Sequence, residues 1–208
     1  YAAIQDVANF VSAYLTPAQL PLLTQGIQAN VNINDACNAF YSGQSNSLNF
    51  FKQGENCANT GLISDIVIHE WGHALDDHLG TRNRLRGGSG ITDSAYSEGI
   101  GDILASLMTK SSNLAPGFFL NKSSPLRSVK NNRTHPPQGA AEEEVHSAGL
   151  IIGGAFWDLF TNFTNLYGDE LSQSKASDLF LKHLLVSDRY VDAYKAVPKA
   201  DKVLITGG

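Results

Sequence analysis

Apolar positions recur at helical spacing at the start of the chain, at Ile4, Val7, Ala8, Val11, Tyr14 and Leu15. This predicts a helix over 2–15, which Pro17 and Pro21 break. From 26 to 51 the pattern suits strands. Val31 and Ile33 alternate with Asn, and Phe40, Tyr41, Phe50 and Phe51 are strand formers. The polar stretch Gly43-Gln-Ser-Asn-Ser47 between the aromatic pairs predicts a hairpin. Helical spacing then runs over 60–78 and resumes over 94–110, with a Gly- and Arg-rich loop at 80–90 between them. Residues 111–138 are Pro-rich, basic and aperiodic, as expected of a surface or functional loop. A long helix is predicted over 142–162, with small residues Ala148, Gly149, Gly153 and Ala155 on one face, and shorter ones over 172–186 and 188–197. No internal repeat is visible. The expected class is α+β, mixed in the first part and mainly helical in the second.

Composition narrows the function classes. The chain has 208 residues and a formal charge of -5. That charge argues against a nucleic-acid binder, which would carry a basic stripe. No apolar run reaches membrane-spanning length, so no membrane partner is expected. The chain opens at Tyr1 without a signal-peptide pattern, as expected of a processed or trimmed form. One Met and many Asn, Ser and Gly fit an exported protein. On that logic Cys37 and Cys57 are expected to form a disulfide, worth about 3 kcal/mol at best. The alternative is a reduced, buried pair. Three glycosylation sequons, at Asn121, Asn132 and Asn162, matter only where the source glycosylates.

The chemistry concentrates in Asp65-Ile-Val-Ile-His-Glu-Trp-Gly-His73. His69 and His73 are four apart, roughly 40° around a helix, so both imidazoles project from one face toward one ion. Glu70 follows His69 by about 100°, beside that face, where it can reach a water without becoming a ligand. His78 lies roughly 180° from His69 and misses the spacing of a third His ligand. His78, Asp76 and Asp77 therefore read as surface residues. In Ser97-Glu-Gly-Ile-Gly-Asp102, Glu98 and Asp102 share a helix face. One carboxylate can complete a His₂Glu site, and the other can accept the N–H of a ligand histidine. A helix N-terminus carrying acids that suit its dipole would explain Glu98 but leave the Glu-x-x-x-Asp pairing as coincidence.

In chain order, Asn38-Ala39-Phe40-Tyr41-Ser42-Gly43, the segment ending in His69-Glu70-x-x-His73, Ser97-Glu98-Gly-Ile-Gly-Asp102, and Glu144-Val-His146-Ser-Ala-Gly149 resemble the thermolysin-like, or gluzincin, zinc metallopeptidases. Asn83-Arg-Leu-Arg-Gly-Gly88 and the run from Glu144 to Leu159 are similar to the fungalysin branch. The resemblance implies a two-lobed zincin fold, with a reduced mixed lobe over 1–80 and a helical lobe over 81–208. It implies one catalytic zinc on His69, His73 and Glu98, with Asp102 behind a ligand. Glu70 would be the general base and His146 the stabiliser of the tetrahedral intermediate, while Asn38 and Ala39 would bind substrate main chain. The expected protein is a secreted, monomeric zinc endopeptidase acting on peptides or proteins. The alternatives are an aminopeptidase of the same clan and a catalytically silent, zinc-stabilised binding domain. Asp65 matches a calcium-binding position of thermolysin, but the acidic cluster that would partner it after Glu98 is missing, which argues against structural calcium. The acid that orients His146 is not at the family's spacing, although Glu142, Glu143 and Glu144 lie nearby. Arg127 and Arg133 are candidates for gripping a substrate carbonyl, and Leu62 and Ile66 for lining the apolar side-chain pocket.

Overall fold

The computed structural model describes residues 2–80, 94–134 and 144–186. The Asn83–Gly88 loop, the helix expected over 188–197, Glu142 and Glu143 lie outside them. The class is α+β, as the periodicities predict. Helix α1 (Ala2–Ser12) buries Val7 and Val11, and α2 (Leu22–Gln25) is a single turn after Pro21.

Three strands follow, β1 (Gln28–Ala36), β2 (Ala39–Ser42) and β3 (Ser47–Lys52), in the order β1-β3-β2. The predicted hairpin is β2–β3, antiparallel, with Ser42 opposite Ser47. Strand β1 runs parallel to β3 with two register shifts, and Asn32, within the first, takes a left-handed φ of 57°. Asn tolerates that region better than other side chains. Central β3 buries Leu48 and Phe50. Polar side chains also tie β1 to its surroundings, as Asn30 is bonded to Asn49, Asn59 donates to Asn32 and Lys52 to Asn34.

Cys37 and Cys57 form a disulfide with Cα atoms 5.4 Å apart. It fastens the corner between β1 and β2 to a segment that bridges to Phe119. A 3-10 turn (Thr60–Leu62) leads into α3 (Ser64–Leu79), which is buried along most of its length. Helix α4 (Ser94–Thr109) lies between α3 and α5 (Val145–Tyr167), and α6 (Asp169–Leu184) folds back on α5 and α4.

Glycines set how close these helices come. A Cβ on Gly72 of α3 would lie 2.7 Å from the Cα of Gly101 on α4, and one on Gly149 of α5 would lie 2.8 Å from the Gly99 nitrogen. Backbone therefore meets backbone at both crossings, and the side chains beside the crossing are drawn together. In 111–134 β4 (Asn113–Leu114) and β5 (Arg127–Ser128) pair with each other, Phe119 bridges to Cys57, and the rest is irregular as expected. Among the described residues no helix is long and apolar enough to cross a membrane.

Candidate metal centre

Helix α3 delivers His69 and His73 from its buried half, and α4 delivers Glu98 one turn above Asp102. The three side chains meet. Their ligand atoms all lie within 4.8 Å of one another, so they form a group that could hold a metal ion. His69 Nε2 is 3.1 Å from Glu98 Oε2, and His73 Nε2 is 3.7 Å from Glu98 Oε1. Ligand bonds of roughly 2.0–2.1 Å in a tetrahedron put ligand atoms about 3.3 Å apart, which the two His–Glu98 separations bracket.

The far side of each ring is held. His69 Nδ1 lies 2.8 Å from Asp102 Oδ1, the pairing that the shared face of Glu98 and Asp102 predicts. His73 Nδ1 meets Ser97 Oγ at 2.9 Å, a partner that sequence reading did not single out. Both contacts leave Nε2 facing the gap. Arg127 on β5 donates from Nε and Nη2 to Asp102, at 2.8 Å and 2.6 Å. Arg127 also lines the cleft, whereas Arg133 is not among its lining residues.

Electrostatics follow from this wiring. Burial works against a charged His69, but the bonds to Asp102 and Glu98 outweigh it and lift its pKa to about 9. His73, without a carboxylate bond of that kind, is pushed by burial, and then by charged His69, down to about 3. Burial would raise Glu98 and Asp102. The His69 bond and charge on Glu98, and chiefly Arg127 on Asp102, reverse this and hold each at about 2. A metal ion would compete with the proton on His69, so binding releases it.

Glu70 is buried beside the ligands without belonging to the metal group. Burial lifts its carboxyl to about 7, against the pull of His69 and, more weakly, of the Tyr41 backbone N–H. His146, in the first turn of α5, turns Nε2 to within 3.3 Å of Glu98 Oε2. Its Nδ1 bonds Glu144 Oε1, and Glu144 also caps α5 by accepting from the His146 and Ser147 N–H groups. The acid beside His146 is thus two residues before it. Sequence spacing missed it because the contact depends on the extended N-cap backbone rather than on helical periodicity.

The site opens into a cleft of about 790 Å³. One wall is apolar, with Ile66, Ala105, Leu114, Phe118, Leu126 and Leu150. Leu62 is not part of it and stands 83% exposed on the surface. Strand β2, the open edge of the sheet, also lines the cleft. Phe51 N donates to Asn38 O at 3.3 Å, so Asn38, Phe40 and Ser42 bond inward to β3 while Ala39 and Tyr41 turn their backbone groups outward. Asn38 O also accepts from Thr60 Oγ1. Of the two residues expected at substrate main chain, Ala39 presents its backbone to the cleft and Asn38 spends its carbonyl within the fold.

Asp76 and Asp77 are buried, against the surface reading. Asp76 follows His69 by seven residues, about 20° around the helix, so it continues the same inward face. Asp77 is covered by the hairpin tip, where Tyr41 Oη donates to its Oδ2 at 2.8 Å. His78 is half-buried and bonds Asn46 at 3.0 Å, away from the metal group. Asp65 Oδ2 accepts from Ala115 N at 2.8 Å and so holds a loop residue whose φ is 50°.

A scan against protein-family models finds no match, and no curated protein matches the chain.

Proposed function

We propose that this protein is a secreted zinc endopeptidase with the two-lobed zincin arrangement, active sites of which lie between an edge strand and paired helices. The observation that carries the reading is the convergence of His69, His73 and Glu98 beside a buried, non-ligand Glu70, in one cleft with an open strand edge. A purely structural metal site has no use for that uncommitted carboxylate. The Cys37–Cys57 disulfide is compatible with an extracellular setting.

When bound, a zinc ion supplies a Lewis acid that activates water and polarises the scissile carbonyl. An extended peptide lies along β2 and bonds the Ala39 N–H and C=O, as peptides do at open sheet edges. An apolar side chain of the peptide packs on the wall of Ile66, Leu114 and Phe118. Glu70 takes the proton of the attacking water as the C–O bond forms, and delivers it to the amine as the C–N bond breaks. His146, its ring held through Nδ1 by Glu144, presents Nε2 to the developing oxyanion. Asp102 and Ser97 keep the ligand imidazoles aimed throughout.

The test is hydrolysis of casein and of N-terminally blocked peptides by metal-loaded protein, with and without chelator. Cleavage of blocked peptides that stops with chelator supports an endopeptidase, while a need for a free amine would favour an aminopeptidase. Glu70→Gln should keep its metal and lose about a hundred- to ten-thousandfold in rate. Full turnover by metal-loaded Glu70→Gln would remove Glu70 from the mechanism.

A further inference from the structure

Tyr41 touches α3 twice, by two different parts of itself. Its backbone N–H, turned outward from β3 on the open edge of β2, faces the cleft beside the Glu70 carboxyl, whose pKa it lowers. Its side-chain hydroxyl reaches Asp77 Oδ2 at 2.8 Å and Asn46 Oδ1 at 3.3 Å. Glu70 and Asp77 are seven residues apart, about 20° around the helix and roughly 10 Å along it. The two contacts therefore grip one face of α3 two turns apart. The hairpin tip is close enough that a Cβ on Gly43 would lie 3.0 Å from Asp77 Oδ2. Asn46, in the same turn, is bonded by His78. Asp77 is only 9% exposed, so water competes weakly for the Tyr41 hydroxyl.

A strand edge that slid or tilted along α3 would carry the Tyr41 N–H away from Glu70. The sheet alone does not prevent this, because β2 is a four-residue edge strand paired on one side. We propose that Tyr41 is a positioning residue, whose hydroxyl bond to Asp77 fixes β2 against α3 so that its N–H holds the Glu70 carboxyl toward the cleft. The proposal rests on the peptidase reading for its consequence in rate, though not for the clamp itself. Since β2 also carries Ala39, one tether sets both the base and the bound main chain. Small errors at such positions are costly, since about 1 Å of misplacement can lower rates on the order of a hundredfold.

The experiment uses metal-loaded Tyr41→Phe, Asp77→Ala, their double variant and Asp77→Asn. Tyr41→Phe keeps the ring and the backbone N–H. We expect on the order of tenfold lower kcat with unchanged metal content, and a smaller change in KM. Asp77→Ala should match it, and the double variant should lose no more than either single one, as for two ends of one bond. Asp77→Asn, whose amide oxygen still accepts, should recover most of the rate. Amide hydrogen exchange at position 41 is read on the same samples and needs no activity. It should quicken in Tyr41→Phe and Asp77→Ala and stay slow in Asp77→Asn. Wild-type exchange at position 41 in Tyr41→Phe would overturn the clamp, as would fully additive losses in the double variant. A wild-type protein without peptidase activity but with the expected exchange pattern would sink the peptidase reading and leave the clamp standing. If Tyr41→Phe fails to fold, Asp77→Ala against Asp77→Asn decides alone, and equal exchange in those two overturns the proposal.

Discussion

At the scale of single residues, His146 and His78 make opposite claims. His146 is outside the metal group yet points Nε2 at Glu98, while His78 sits on the same helix as two ligands yet bonds the hairpin at Asn46. His146→Ala should therefore keep its metal and lose on the order of a hundred- to a thousandfold in kcat, the cost of an oxyanion donor. His78→Ala should keep both metal and rate, and Glu98→Ala should lose the metal. Metal content by elemental analysis, with steady-state kinetics on the loaded variants, reads all three. Metal loss in His146→Ala, or equal metal loss in His78→Ala and Glu98→Ala, would mean that the ligand set is wrong. The His₂Glu arrangement was legible in sequence because His69, His73, Glu98 and Asp102 obey helical periodicity. The helpers that were missed do not. Ser97 meets His73 across an interhelical gap, and Glu144 reaches His146 through a capping geometry. Asp77 looked solvated because nothing local announces that a hairpin 36 residues earlier will cover it.

Among elements, the crossing of α3 and α4 decides whether the ligands meet at all. A Cβ on Gly101 would lie 2.6 Å from His69 Nδ1, in the space that the Asp102 contact needs. A Cβ on Gly72 would strike the Gly101 backbone, which has no rotamer by which to yield. Gly72→Ala should thus spread the helices, cost about 1–3 kcal/mol of stability as overpacking does, and weaken metal binding. Gly101→Ala should act more narrowly, displacing the His69 ring and weakening the metal with less loss of stability. Gly153→Ala on α5 is the control, since its Cβ meets only the Val129 side chain at 3.1 Å. There the gain in helix propensity, about 1 kcal/mol, offsets the crowding. Thermal unfolding and metal titration of the three variants test this ordering, and it fails if Gly72→Ala binds metal like the wild type. The helices themselves were readable from apolar spacing, and the β2–β3 hairpin from its polar turn. The parallel pairing of β1 with β3 was not, because β2 intervenes in sequence and no turn signal marks a non-adjacent partner.

For the whole molecule, a buried histidine outside the cleft lining reports how the last described helix is tied to the helix that carries Glu98. His183 on α6 is fully buried among Phe156 and Phe180. Its Nδ1 donates to the Phe180 carbonyl, so Nε2 is left as an acceptor, and Tyr96 Oη donates to it at 2.5 Å. Tyr96 stands two residues before Glu98, so this bond ties α6 to the helix that carries Glu98. Protonation would place a charge in an aromatic pocket and remove the acceptor. Burial accordingly lowers the pKa of His183 from 6.5 to about 4. An unfolded chain takes up that proton first as pH falls. The stabilisation is therefore complete above pH 6.5 and is lost progressively down to about pH 4, with an amplitude on the order of 3 kcal/mol. Denaturant unfolding from pH 7.5 to 4, in chelator so that metal release adds nothing, should show this loss. His183→Gln should start less stable, because it packs differently against Tyr96, but its stability should fall less steeply over the same range. Parallel pH profiles for the two proteins would show that His183 is not the group that titrates, and that the acid sensitivity lies elsewhere in the fold.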